Sequence, residues 1–237
     1  MDTLSYIILV PMVYAAAAVF LVGMVTRLVG IYRAPKHPAT LQIYPKRKPA
    51  WLMALYDTFL FPTVRRHKPL LWIFLILFHL SLVLLIFGHL ELFKDISLFQ
   101  IIPHGDVFIG GGWTGLVIIL CVLFFLFRRF HGPVRELSVP EDYFLLILLM
   151  LTALFGSQMN WARIWYGYGE MDIEQYRQYL LSLLVFKPDV PYELTGTGHS
   201  FMMVLHVFFG NLFLMVFPFS QLMHAVFSLP MNKLRRG

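Results

Sequence analysis

The sequence predicts an all-α integral membrane protein. We expect a five-transmembrane-helix bundle with its N-terminus outside, its C-terminus in the cytoplasm and a short amphipathic helix in an outer loop. Of the 237 residues, 59% are hydrophobic and 14% are charged, and a water-soluble domain of this length cannot bury so much apolar surface. Apolar runs long enough, or nearly so, to cross a core of about 30 Å recur along the chain. The whole chain, residues 1–237, is therefore treated as one membrane domain.

The expected spans lie at 4–26, 70–93, 106–127, 143–159 and 200–228. The first is not expected to be a signal peptide, because it begins with the acidic Asp2, has too long an apolar core and lacks a small-residue cleavage site. The fourth is short, so we expect it to recruit Asn160 and Trp161 at the membrane interface.

The amphipathic helix is predicted at 171–186, where apolar residues recur at helical spacing before Lys187 and Pro188 end the pattern. We expect it to lie along the outer surface as a lid. The segment 31–51 is rich in proline and is predicted to be an extended or irregular inner loop. Cys121, the single cysteine, lies in the third span and no CxxCH motif occurs, so the sequence offers neither a disulfide framework nor a cysteine cluster.

Basic residues set the orientation. They concentrate in the loops 27–69 and 128–142 and in the C-terminal "NKLRRG", whereas the loops 94–105 and 160–199 hold few basic residues, balanced by acidic ones. Cytoplasmic loops carry the excess of lysine and arginine, which places the N-terminus outside and the C-terminus inside. The net charge of +6 follows from this asymmetry, and nucleic-acid binding is disfavoured because the charges flank spans.

Histidines on two spans are the candidate functional groups. The second span contains His79 and His89, and the fifth contains His206 and His224. Ionisable groups within spans are costly and usually face the bundle interior, where they have a function. In the predicted orientation His79 and His224 lie toward the inside, and His89 and His206 lie toward the outside. The two antiparallel spans thus offer one histidine pair in each leaflet.

Helix geometry tests these pairs. Ten residues rise about 15 Å and eighteen about 27 Å, so the pair midpoints would lie about 21 Å apart, with room for two macrocycles. Eighteen residues make five whole turns, which would put His206 and His224 on one helix face, while His89 would lie about 80° from His79. Tilt, or a bend at Pro218, is expected to absorb the mismatch.

Paired imidazoles suit haem iron, whose two axial positions they fill when the iron carries electrons. Gly88 and Gly210 lie close to the ligands in sequence and would let a flat ring approach the backbone. A copper or zinc site would need all four histidines to converge, which their spacing along the helices forbids.

Other interpretations of the histidines remain open. A single transmembrane histidine is most often part of a polar network, and a set of them can form the proton relay of a transporter. A membrane anchor without redox function is a further alternative. The proton relay and the membrane anchor both predict a colourless protein. His104, at the outer end of the third span, is either a loop residue or a site group.

The segments "LFHLSLVLLIFGH" and "LHVFFGNLFLMVFPFSQLMH" resemble the membrane cytochrome b subunit of respiratory nitrate reductase, the gamma subunit family. Its relatives include the cytochrome b subunits of sulfite-reductase-associated and heterodisulfide-reductase-like membrane complexes. The stretches "AAVFLVGMVTR", "RRFHGPVRE" and "GEMDIEQYRQYLLSLLVF" extend the resemblance over nearly the whole chain. The histidine pattern on the second and fifth spans is its specific part.

The resemblance implies two b haems, the inner one ligated by His79 and His224 and the outer one by His89 and His206. It also implies that menaquinol or ubiquinol is oxidised beside the outer haem, and that electrons pass to an iron–sulfur subunit on the cytoplasmic face. The chain would then be the quinol-oxidising subunit of a respiratory complex in a prokaryotic cell membrane, with the terminal catalysis in partner subunits.

Further candidate residues follow from this interpretation. Those expected near the quinone are Gly88, His89, His104 and Asp106. Those expected to bind haem propionates or a docking partner, or to act only as positive-inside anchors, are Arg27, Arg128 and Arg129. The nitrate reductase subunit has a quinol-binding lysine before its third span, whereas "LFQIIPHGDVF" has none. This difference favours the sulfur-metabolism or heterodisulfide-type relatives.

Overall fold

The computed structural model describes residues 3–33, 49–93, 111–166, 173–192 and 200–236, which are mainly helical and, within these ranges, contain no strand. The all-α prediction is confirmed for this part of the chain. The helices are α1 Thr3–Leu9, α2 Pro11–Arg33, α3 Ala50–Leu60, α4 Pro62–His67, α5 Pro69–Glu91, α6 Gly111–Arg129, α7 Gly132–Glu136, α8 Pro140–Tyr166, α9 Ile173–Leu184, α10 Ser200–Val216 and α11 His224–Arg236.

Within the described ranges, four segments are long and apolar enough to cross a membrane: Thr3–Arg33, Pro69–Leu90, Pro140–Met159 and Ser200–Phe219. The chain therefore has the architecture of a multi-pass helical membrane protein. The expected third span, 106–127, starts outside the described residues, and its described part is α6. A count of five spans, and their orientation, stay predictions.

Two of the expected spans differ from the observed helices. The fourth is not short, because α8 continues through Asn160 and Trp161 and begins at Pro140 with acidic residues in its first turn, where proline and negative charge favour a helix start. The fifth is not continuous to residue 228, because α10 ends at Val216 and α11 begins at His224.

Residues 217–223 between these two helices form two short 3₁₀ turns. Pro218 has no N–H to donate and its ring conflicts with a continuing α-helix. Ser220 is extended, and its hydroxyl accepts a hydrogen bond from the Leu222 N–H at 3.2 Å, which starts the next turn. His206 and His224 therefore lie on different helices, and the expected placement on one face of one helix is wrong.

The first of two compact units contains residues Met1–Ala17 and Leu77–Phe213. Part of its core forms where the amphipathic helix α9 packs against α1 and α10, with buried residues Ile8, Leu9, Val10, Tyr179, Leu183 and Val204. The predicted amphipathic helix is thus confirmed, over Ile173–Leu184. In the same unit α6 and α8 pack closely, because Gly115 leaves room for the buried Ser157 hydroxyl.

The second unit contains residues Ala18–Ile76 and Leu214–Gly237. Its α3 packs against α11, and the Asn232 amide donates to the Thr58 hydroxyl at 3.0 Å. Neither α3 nor α4 was predicted. Most of the expected irregular loop 31–51 lies outside the described residues, but its ends belong to α2 and α3.

Candidate functional site

The structure brings His89, near the C-terminal end of α5, together with His206 in the middle of α10. Their ring centroids are 6.1 Å apart, and the ring planes are inclined by 28°. His89 is exposed and His206 is half-buried. Both residues belong to the first compact unit, so the pair expected toward the outside is a feature of one packed body.

Backbone carbonyls orient both rings. The Nδ1 of His89 lies 2.7 Å from the carbonyl oxygen of Leu85, and the Nδ1 of His206 lies 2.9 Å from that of Thr152. A carbonyl oxygen can only accept, so each Nδ1 carries the hydrogen and donates it. In a neutral imidazole the lone pair then resides on Nε2, which is the arrangement found in metal-ligating histidines.

The spacing of the two rings fits a pair of axial ligands. A metal–imidazole bond is about 2 Å long, and a ring centroid lies roughly 1 Å beyond its nitrogen. Two imidazoles on opposite sides of one metal therefore have centroids about 6 Å apart, which agrees with the observed 6.1 Å. The donor set, the tautomer and the spacing all suit haem iron.

Helix α8 also contacts His206. A Cβ on Gly156 would lie 2.9 Å from both Cε1 and Nδ1 of His206, so the ring rests against the backbone at this glycine. Neither Gly156 nor Thr152 was a predicted site residue. Both lie in an apolar helix that contains no histidine, and nothing in its own sequence marks them.

His79 and His224, the expected inner pair, belong to different compact units, and their pairing stays a prediction. The His79 ring lies edge-on to the Phe78 ring, with centroids 5.2 Å apart, and the Phe78 and Phe125 rings have centroids 5.6 Å apart. His224 begins α11, and its Nδ1 lies 2.9 Å from the carbonyl oxygen of Gln221. This contact again places the hydrogen on Nδ1.

The expected quinone-binding residues are only partly described. Gly88 is half-buried on α5, next to His89. His104 and Asp106 lie outside the described residues.

The arginine candidates have internal partners in two cases. The Arg27 Nε donates to the carbonyl of Pro218 at 3.1 Å. Arg129 pairs with the buried Asp142 at 2.8 Å and donates to the Ser138 hydroxyl at 3.1 Å. Arg128 is half-buried at the end of α6. A role in binding propionates or a partner stays a prediction for all three.

Within the described ranges, no group of three or more histidine, cysteine, aspartate or glutamate side chains could hold a metal ion. The described residues do show the rings of His89 and His206 beside one another, and their role as haem ligands stays a prediction.

The comparison with protein families matches residues 64–237 to the nitrate reductase gamma subunit. A curated relative from Archaeoglobus fulgidus, named "Hdr-like menaquinol oxidoreductase cytochrome b-like subunit", is 33% identical over 163 residues, or 65% of this chain and 47% of the relative. A relative of the same name from Archaeoglobus profundus is 25% identical over 163 residues, or 65% of this chain and 46% of the relative.

The chain thus spans about half the length of the curated relatives it matches. The family match includes His79, His89, His206 and His224 and the two helices that bring His89 and His206 together. The resemblance inferred from the histidine segments is confirmed, and the chain belongs to the nitrate reductase gamma subunit family.

Proposed function

We propose that this chain is a dihaem b-type membrane cytochrome that exchanges electrons between menaquinol and an iron–sulfur partner on the cytoplasmic face. The family match and the menaquinol oxidoreductase relatives support a quinone-linked electron-transfer subunit. The observation that carries the proposal further is the His89–His206 pair, with its ring spacing of 6.1 Å and its carbonyl-bound Nδ1 atoms.

His89 and His206 would hold the outer haem, and His79 and His224 the inner one. When bound, haem iron supplies one-electron redox chemistry without a change of ligands. The Leu85 and Thr152 carbonyls keep the rings in one tautomer, restrict their rotation and increase the basicity of Nε2. The backbone would therefore hold both imidazole rings in position before a haem binds.

We place the quinol beside Gly88 and His89, at the end of α5 that is expected to face outward. Oxidation of one quinol to the quinone releases two electrons and two protons. The electrons leave toward the cytoplasmic iron–sulfur partner, and the protons leave on the outer side, where His104 and Asp106 are the candidate acceptors. Menaquinol is preferred over ubiquinol because both curated relatives are named for it.

A proton relay is the weaker alternative, for a reason that lies in the ring contacts. A relay histidine takes up a proton on one nitrogen and releases it from the other. The Nδ1 atoms of His89 and His206 donate to backbone carbonyls, which do not accept a proton outright. A purely structural anchor would not require two oriented imidazoles within its spans.

Quinol-driven reduction of the purified chain tests the function. A menaquinol analogue is added to the wild type, to His206→Ala and to His67→Ala, an exposed histidine of α4, and the haem absorption is followed. We expect the quinol to reduce the wild type and the His67 variant. The His206 variant should be reduced by dithionite but not by the quinol. The proposal would be contradicted if dithionite reduced the haems of the wild type but the quinol did not. It would also be contradicted if the quinol reduced the His206 variant as well as it reduces the wild type.

A further inference from the structure

We infer that Gly156 is a positioning residue for the outer haem ligand: it gives His206 access to the backbone carbonyl of Thr152. This inference rests on the proposed function. Under this inference, α8 supplies no haem ligand itself, but it controls the orientation and the donor strength of the His206 imidazole.

The geometry of an α-helix explains why position 156 matters. The carbonyl of residue 152 points along the helix toward the N–H of residue 156. Helical side chains lean back toward the N-terminus, so a side chain at position 156 stands over the turn that ends in the Thr152 carbonyl. Glycine leaves the second lone pair of this oxygen open to a neighbouring helix. The His206 Nδ1 occupies that opening at 2.9 Å.

The space at Gly156 is already filled by the ring. A Cβ there would lie 2.9 Å from Cε1, 2.9 Å from Nδ1 and 3.7 Å from Nε2 of His206, whereas nonbonded carbon atoms prefer about 3.5–4.0 Å. Any side chain at this position would therefore move the ring away from the Thr152 oxygen. Glycine also weakens a helix relative to alanine, and close approach of the ring gives a reason for its presence within α8.

The two ligands of the pair are held in different ways. His89 bonds to Leu85, four residues earlier on its own helix, so this hydrogen bond lies within α5. His206 bonds across from α10 to α8. A change at position 156 therefore acts directly on His206 and not on the hydrogen bond between His89 and Leu85.

The expected effect on the haem follows from ligand basicity. An Nδ1–H that donates to a carbonyl makes Nε2 a stronger electron donor, and a stronger donor favours ferric iron. Loss of this hydrogen bond therefore raises the midpoint potential of the outer haem. Rotation of the ring also changes the low-spin electron paramagnetic resonance signal of that haem.

The test compares Gly156→Ala with Gly30→Ala in the full-length chain. Gly30 is a matched control, because it is also helical and a Cβ there would meet nothing within 4 Å. Loss of one signal in His206→Ala assigns the outer haem. In Gly156→Ala we expect an upward shift of the outer midpoint and a changed outer resonance signal, or loss of the outer haem alone. Gly30→Ala should match the wild type.

Unchanged outer potential and resonance signal in Gly156→Ala would overturn the inference. Equal changes in both haems, or loss of both, would also overturn it, because the effect would then not be local to His206.

A separate readout uses the haem-free chain with ¹⁵N-labelled histidine. There the His206 Nδ1 should be protonated and slowly exchanging in the wild type, and faster exchanging in Gly156→Ala. A wild type that binds no haem would contradict the proposed function alone, since the nitrogen measurement would still decide the role of Gly156.

Discussion

Backbone carbonyl oxygens orient the candidate haem ligands of this protein and several buried polar side chains. They accept hydrogen bonds from His89, His206 and His224, and also from the buried Tyr179 and Asn211. Apolar spans contain few polar side chains, so a backbone oxygen is the most abundant acceptor available to a donor there. The same chemistry thus orients the candidate haem ligands and joins neighbouring helices.

Tyr179 and Asn211 show the structural use of these contacts. Their side chains donate to the carbonyls of Leu9 and Ile8, where α1 ends just before Pro11 begins α2. Proline interrupts the helical hydrogen bonds at this point, and buried side chains supply donors to the carbonyls beside it.

Substitution of Tyr179 by phenylalanine should lower stability. The change leaves the Leu9 carbonyl without a donor in a buried position, and the free energy of unfolding should fall by about 1–3 kcal/mol. Tyr6→Phe is the control, because Tyr6 is 42% exposed on α1 and should change little. Chemical denaturation in mixed micelles measures both variants. An equal stability of the two would contradict this role for the Tyr179 hydroxyl.

The pH dependence of stability should also change in Tyr179→Phe. Burial, and secondarily the nearby Tyr14, raises the pKa of Tyr179 above its usual range. A tyrosine whose pKa is raised in the folded state makes its full contribution to the free energy of unfolding below about pH 10. That contribution is lost as the pH rises further. Denaturation at pH 8 and above pH 10 should therefore show a smaller alkaline loss in the variant. Identical losses would mean that Tyr179 does not titrate with unfolding.

At the scale of elements, the break between α10 and α11 determines where His224 lies. Helix α2 supports this break in two ways, since Gly23 leaves room for Pro218, and Arg27 donates to the Pro218 carbonyl. Gly23 and Arg27 are four residues apart and share one face of the helix. The 3₁₀ turn that precedes α11 and His224 is thereby packed against α2.

Gly23→Ala should disturb this arrangement. The new Cβ would lie 2.7 Å from the Cβ and 2.9 Å from the Cγ of Pro218, and such overpacking lowers stability by about 1–3 kcal/mol. Residues 217–223 must shift, so the variant should lose or perturb the inner haem and keep the outer one. Gly30→Ala, on the same helix in open space, is the control. A normal inner haem spectrum in Gly23→Ala would show that the break does not position His224.

Elements with a strong periodic pattern were predictable, and breaks in helices were less so. Helix α9 follows directly from the apolar spacing in 171–186, and its core residue Leu183 is part of that pattern. Pro218 pointed to a bend, but residues 217–223 form a full interruption, because the extended Ser220 adds a turn of its own. The helices α3 and α4 lie between basic and proline-rich stretches, and local composition there did not reveal them.

At the scale of the whole molecule, charge and apolar length are the predictable features, and contacts between helices are not. His89 and His206 stood out because their spans are otherwise almost free of ionisable groups. Thr152 and Gly156 did not, because a glycine and a carbonyl become functional only through the helix that packs against them. Predicting them requires the register of α8 against α10, which no single-helix pattern contains.

The predicted orientation can be tested by labelling introduced cysteines. Cys121 is the single cysteine of the chain and is 1% exposed, so background labelling should be low. A membrane-impermeant maleimide should label Lys187→Cys in intact cells and Glu136→Cys only after lysis, because positive-inside loops face the cytoplasm. Both positions are exposed. The reverse pattern would invert the topology and place the His89–His206 pair toward the cytoplasm.

The central claim, that two histidine pairs hold two b haems, is tested most directly by counting haem in the purified chain. The count is combined with reduced-minus-oxidised spectra of the wild type, His79→Ala and His206→Ala. We predict two b haems per wild-type chain, with His79→Ala losing one and His206→Ala losing the other. A single haem, or loss of the same haem in both variants, would contradict the pairing, and a colourless wild type would contradict the cytochrome function itself.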